Sequence, residues 1–175
     1  MTKMSDATLA VQEAIFDGDI EKLRAAVKAG GDLDYVSKGV NWNHLTGMLV
    51  SSAKHLTVEM IQFLIDAGND VNLVDQFGNT SVMYAVRAKR ADILEVLLKA
   101  GGLVNYFNID EQSPLVLAVE TIDTEYLCAK VLLKHGADPE LESETGITAK
   151  KVVEQFMSLQ VANQALRQVY EEFFV

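Results

Sequence analysis

The chain has one cysteine among its 175 residues, Cys128. No internal disulfide can therefore form, and nothing marks the chain as built for an oxidising compartment. Cys128 lies in the apolar run Tyr126-Leu127-Cys128-Ala129 and reads as a small buried hydrophobe rather than a nucleophile. The three histidines, His44, His55 and His135, are too far apart for a metal-ligand spacing. No apolar run approaches the ~20 residues that cross a bilayer. The opening Met-Thr-Lys-Met-Ser-Asp lacks the apolar core of a signal peptide. A soluble, intracellular and cytoplasmic protein is expected.

Positive charge is also scarce. Fifteen basic side chains stand against 25 acidic ones, for a net charge of −10. That balance repels phosphate backbones and anionic headgroups, so neither nucleic acid nor membrane is expected as a partner. The close basic cluster Arg87, Lys89 and Arg90 is short and flanked by Asp92 and Glu95. Catalytic signatures are missing as well: there is no nucleophile elbow, phosphate loop, zinc-protease helix or dinucleotide fingerprint. The acidic run Glu140-Leu141-Glu142-Ser143-Glu144 lacks the alternating ligands and glycine of a calcium loop. The expectation is no enzyme, no cofactor and no metal.

What the chain does have is a repeat. Val27-Lys28-Ala29-Gly30 recurs as Ile65-Asp66-Ala67-Gly68, Leu98-Lys99-Ala100-Gly101 and Leu133-Lys134-His135-Gly136, with glycines 38, 33 and 35 residues apart. Ahead of each glycine run apolar residues at helical spacing, such as Ile93, Leu94, Leu97 and Leu98, and the glycine suits the left-handed position that ends a helix. A second apolar stretch lies earlier in each unit, as in Leu49 to Ala53, Val82 to Val86 and Leu115 to Val119. Small residues there (Ala14, Ser52, Ala85, Ala118) let two helices approach. Polar, glycine-containing segments such as Asp75-Gln76-Phe77-Gly78-Asn79 read as turns. Each unit is thus helix, turn, helix and an extended or hairpin connection.

These units resemble the ankyrin repeat, with its period of ~33 residues and T-P-L-H-x-A signature. Thr80-Ser81-Val82-Met83-Tyr84-Ala85 and Ser113-Pro114-Leu115-Val116-Leu117-Ala118 carry the likeness best. Pro114 suits a first helical turn, and Thr80 and Ser113 are placed to cap. The resemblance implies an all-α solenoid of stacked helix-turn-helix units, one domain over residues 1–175. Its units fall at about 7–36 (an N-terminal cap), 42–74, 75–107, 108–142 and 143–175 (a C-terminal cap). The last unit has no terminating glycine and reads as a longer capping helix, whose Phe173-Phe174-Val175 end must pack on the previous helix or else lie exposed as a sticky end. The family's histidine is replaced by Val50, Met83 and Val116, which implies an array less stable than the consensus. The connection before the second unit is five residues longer than the period, and the fourth unit carries two extra residues around Thr121-Ile122-Asp123.

The resemblance also implies a function, binding a protein through the hairpin tips and the concave groove. The module is read as a monomeric scaffold or adaptor. An inhibitor or regulatory subunit that occludes an enzyme is the alternative, and an enzyme with a groove active site a remote third. The register places Trp42, Asn43, His44, Lys54, His55, Gln76, Phe77, Asn79, Arg87, Ile109, Asp110, Gln112 and Glu120 on the candidate surface. His44 and His55 are expected to be exposed or to contact the partner. Trp42, Phe77 and Ile109 are expected to point outward as apolar anchors, and their acidic surroundings favour a partner with basic groups. Asn72 lies in a context resembling that of ankyrin asparagines hydroxylated by an oxygen-dependent hydroxylase. The simpler reading gives Asn72 and Asn105 ordinary hairpin hydrogen bonds.

Overall fold

As far as their residues are described, the apolar stretches that the repeat marks out form helices in the computed structural model, which describes residues 5–33, 35–51, 55–121 and 125–175. In chain order the helices are α1 (Asp6–Asp17), α2 (Ile20–Lys28), α3 (His44–Ser51), α4 (Val58–Asp66) and α5 (Ser81–Arg87). They continue with α6 (Ala91–Lys99), α7 (Pro114–Glu120), α8 (Leu127–Lys134), α9 (Ala149–Ser158) and α10 (Gln164–Phe173). No strand occurs among the described residues. The chain is an all-α solenoid of helix pairs.

Short polar side chains start these helices. Ser5, Asp19, Thr57, Thr80, Ser113, Thr148 and Asn163 each accept a hydrogen bond from a first-turn amide, satisfying donors that the helix leaves unpaired. Pro114 occupies the first turn of α7. Gly30, Gly68, Gly101 and Gly136 end the second helix of four units with φ between 86° and 93°, a region open to glycine at no steric cost.

The odd-numbered helices stack in one row, α1 on α3 on α5 on α7 on α9, and the even-numbered ones follow from α4 through α6 and α8 to α10. Between the rows runs one buried cluster that extends from Val11 to Phe174. Ala14, Ala85 and Ala118 are buried on the inner row, where their small size lets the two rows approach. Leu23, Leu64, Leu97, Leu132 and Leu166 of the outer row are all fully buried, each contributing roughly 1.5–3 kcal/mol by leaving water.

Three details depart from the sequence reading. First, the last unit is two helices, not one. Gln160 takes the left-handed conformation (φ 58°) in place of a glycine, and the Asn163 side chain then caps α10 by accepting from the Leu166 amide at 2.9 Å. Phe174 is buried and Phe173 half-buried, whereas Val175 is exposed.

Second, the signature of the second unit begins at Asn43. Its Oδ1 accepts from the Thr46 amide at 2.9 Å, as Thr80 and Ser113 do for Met83 and Val116. The family's histidine position is therefore Thr46, not Val50, and the alanine position holds Met48. The slip was one helical turn, which keeps apolar residues on the same face.

Third, the long connection before the second unit is mostly not in the hairpin. The tip gains one residue, with Gly39 and Asn41 both left-handed (φ 95° and 59°). From Asn43 to Thr57, cap to cap, is 14 residues, against 10 from Thr80 to Arg90. The rest of the insertion thus lies between α3 and α4. Ser52 and Ala53 there lie outside the described residues, as do Ile122 and Asp123 of the other insertion.

Candidate functional site

Four hairpin tips project between the units, and one device closes them all. The first residue of each tip exchanges two hydrogen bonds with the last. Asp75 donates its amide to the Asn79 carbonyl at 3.1 Å and accepts the Asn79 amide on its side chain at 2.8 Å. Asn108 and Gln112 do the same at 3.2 and 2.9 Å, Ser143 and Ile147 at 3.0 and 3.2 Å, and Ser37 and Trp42 at 2.8 and 2.9 Å. Asp, Asn and Ser serve equally because each offers a short side-chain acceptor.

Adjacent tips are then joined by their backbones. The Gln76 amide donates to the Val40 carbonyl at 3.3 Å, and the Ile109 amide to the Phe77 carbonyl at 3.2 Å. Gly78 favours this approach: its φ is +72°, and a Cβ there would stand 3.1 Å from the Ile109 nitrogen, tighter than ordinary contact. The last junction uses a side chain, Glu111, which accepts from the Thr145 amide and hydroxyl at 2.9 and 2.7 Å.

On this ridge Phe77 is 47% and Ile109 68% exposed. Gln76 and Asp110 beside them are exposed too. Trp42 is not an outward anchor. It is half-buried, its ring edge-on to Tyr84 with centroids 6.5 Å apart, and its indole N–H donates to Asp75 at 3.4 Å. Asp75 also accepts from the Tyr84 hydroxyl. Burial alone would raise the Asp75 carboxyl, but the bonds from Tyr84, the Asn79 and Phe77 amides and Trp42 outweigh it and hold it below its ordinary value. Burial and the same carboxylate push the Tyr84 phenol up to about 12.

Other residues expected on the surface are held inside the array by hydrogen bonds. Asn43, His44 and Asn79 are buried. Asn43 caps α3 and donates to the Asp70 carbonyl at 2.7 Å. His44 sits in the first turn of α3, where its Nε2 donates to the Asp32 carbonyl at 2.9 Å; burial lowers its pKa and the Asp32 bond offsets this in part. His44 thus corrects the expectation of exposure, since it fills the register position of Pro114, which faces the preceding unit. Asn79 accepts from Asn108 at 2.9 Å, linking two tips.

His55 is exposed, but it lies in the α3–α4 turn, at the other end of α3 from the ridge, where its backbone closes on Gly18. Lys54 lies outside the described residues. Arg87, Gln112 and Glu120 do come together along the groove. Arg87 donates to Asn79 at 3.3 Å and to Gln112 at 3.5 Å, and Gln112 donates to Glu120 at 3.2 Å.

Asn72 makes a paired bridge to the next unit, donating to the Gly101 carbonyl at 3.0 Å and accepting the Leu103 amide at 2.9 Å. Asn105 repeats this with Gly136 and Asp138 at 3.1 and 2.9 Å. Among the described residues no cluster of three or more His, Cys, Asp or Glu side chains is placed to hold a metal ion. None of their helices is long and apolar enough to cross a membrane.

The family model for ankyrin repeats matches residues 47–143 with three copies, more than half of the chain. The chain belongs to the ankyrin-repeat family. Ankyrin repeats are generally protein–protein interaction modules, and the family is typically non-enzymatic. Among curated proteins, the chain is similar to "Ankyrin repeat, SAM and basic leucine zipper domain-containing protein 1" of Nomascus leucogenys, 36% identical over 85 residues. The proteins of the same name in Colobus guereza and Homo sapiens are each 35% identical over 85 residues. Each match takes in 47% of this chain and 18% of the relative. The chain therefore matches less than a fifth of the length of these relatives.

Within the ankyrin fold, the residues that sequence reasoning missed are those that close the tips. Ser37, Asp75, Asn108 and Ser143 share a role but not a side chain, so no string repeats. Phe16, which lines a cavity between α1, α3 and the first hairpin, escapes sequence reasoning as well, because it lies in no repeated motif.

Proposed function

We propose that this ankyrin array is a protein-binding module, acting as a scaffold or adaptor, whose partner seats on the ridge of hairpin tips and the groove beside it. The observation that carries the reading is the pair Phe77 and Ile109. They stand on neighbouring tips whose backbones are bonded at 3.2 Å, and both side chains face solvent. Side chains of this kind on rigidly held tips contribute apolar area to an interface at little entropic cost. Neither belongs to the buried core cluster or packs against it.

The net charge of −10 favours a partner with basic groups and speeds its encounter. The array binds as a monomer, and the lone buried thiol of Cys128 fits the cytoplasm.

A photo-cross-linking amino acid placed at position 77 tests this reading. It should trap a defined protein partner, while the same group at Lys134, an exposed position on α8, should not. Equal, indiscriminate trapping at both positions would count against it.

A further inference from the structure

At the N-terminal end of the array, α1, α3 and the first hairpin line an open pocket of about 510 Å³, within the size range of specific binding sites. Its origin lies in the register of the second unit. With Asn43 as the cap, Gly47 occupies the position that Tyr84 and Leu117 hold in the next two units. Tyr84 fills its part of the groove by packing on Trp42, whereas Gly47 fills nothing. A Cβ at Gly47 would meet no atom of the described residues within 4 Å. Close packing therefore does not call for a glycine, and a glycine inside a helix is unfavourable relative to alanine. The residue leaves open the space that an ordinary side chain would occupy.

The walls of that space have a definite chemistry. Phe16, Tyr35 and Trp42 supply aromatic surface, and Glu13 and Asp17 supply carboxylates. Phe16 is 64% exposed, an unusual position for a phenylalanine with no part in the core. Among the described residues no lysine or arginine lines the cavity, although Lys22 holds Asp17 at 2.8 Å from outside it. His44, also in the lining, is kept neutral by burial near pH 7, so it does not repel a positive charge. Aromatic faces attract cations through the ring quadrupole, more strongly when the site is partly dry, and a nearby carboxylate adds a Coulomb attraction.

We infer that this cavity receives a lysine or arginine side chain from the protein partner, its apolar stem against the aromatic rings and its charge toward Glu13 and Asp17. The inference rests on the proposed protein-binding role only for the source of that side chain. The cavity and the Phe77–Ile109 ridge are built from different residues.

The test uses three short blocked peptides, Ala-Lys-Ala, Ala-Arg-Ala and the neutral Ala-norleucine-Ala, titrated into the full chain. Trp42 is the only tryptophan, so its emission reports on the cavity directly, and the Gly47 amide resonance gives a second reading. Both cationic peptides should produce saturable shifts that weaken with added salt, while the norleucine peptide produces none. Gly47→Leu should abolish the shifts, and Gly47→Ala should raise the melting temperature. Phe16→Ala should weaken binding by about three- to tenfold. Phe77→Ala with Ile109→Ala should leave peptide binding unchanged. Norleucine binding as well as lysine, no response to either cation up to about 50 mM (weaker than any useful side-chain contact), or full binding by a folded Gly47→Leu would overturn the inference. Such a failure leaves the ridge reading standing, because that is tested at position 77.

Discussion

The indole N–H of Trp42 donates to the Asp75 carboxylate at 3.4 Å across 33 residues of chain, tying the first hairpin tip to the second. Tyr84 completes the arrangement, its hydroxyl on the same carboxylate oxygen and its ring against the indole. One side chain thus joins the tip that it closes to the two neighbours that pack on it.

Removing the indole should therefore cost stability before it costs binding. Trp42→Ala loses an aromatic contact, a hydrogen bond and partly buried area, and is expected to destabilise the array by about 2–3 kcal/mol. Trp42→Phe keeps the ring contact and should lose about 1 kcal/mol. Urea denaturation followed by far-ultraviolet circular dichroism distinguishes them. Equal, negligible losses would mean that the indole does not hold the tips together.

The asparagine bridges make a second prediction. Asn72 and Asn105 each exchange two hydrogen bonds with the next unit, near water, where a bond is worth about 0.5–1.5 kcal/mol net. Asn72→Ala and Asn105→Ala should each lower stability by roughly 1 kcal/mol, and the double variant by about the sum, since the sites are separate. Thermal or chemical denaturation of the three variants checks the additivity.

His44 gives the array a pH response. Burial favours its neutral form, so its folded pKa lies below the ordinary 6.5. The unfolded chain binds that proton more readily, and stability therefore rises with pH across the interval. The contribution is complete above about pH 6.5 and is lost as the pH falls through the folded value. Asp75, also depressed, acts only below its ordinary 3.8. His44→Gln retains an amide donor for the Asp32 carbonyl and cannot titrate. Between pH 7.5 and 5.5 (about one unit either side of the ordinary histidine value), the native chain should lose more stability than this variant. Parallel losses would exclude His44 as the cause.

These positions also show how much could be read from the chain. The helix pairs were legible because four glycines recur at one φ that other residues adopt only with strain, and because Thr80 and Ser113 look alike as caps. The last helix break was not, since Gln160 accepts the left-handed conformation without being glycine. The second unit's register is ambiguous by one turn in the sequence, because Asn43 caps as well as threonine does, while Leu45 and Leu49 lie one turn apart on one face. Phe77 and Ile109 stood out as apolar residues in polar turns. Trp42 stood out equally, but composition cannot show that its ring has Asp75 and Tyr84 to bind. The cavity at Gly47 depends on what is missing from a register, which becomes visible only once the units are superposed.

The central claim is that the tips of this ankyrin array bind a protein. Quantitative affinity capture with the wild-type chain and with the Phe77→Ala, Ile109→Ala double variant tests it most directly, because both side chains are exposed and their loss should change stability by no more than about 0.5 kcal/mol. A partner should be retained by the wild type and reduced at least about tenfold by the folded variant. Equal retention by both chains would contradict it.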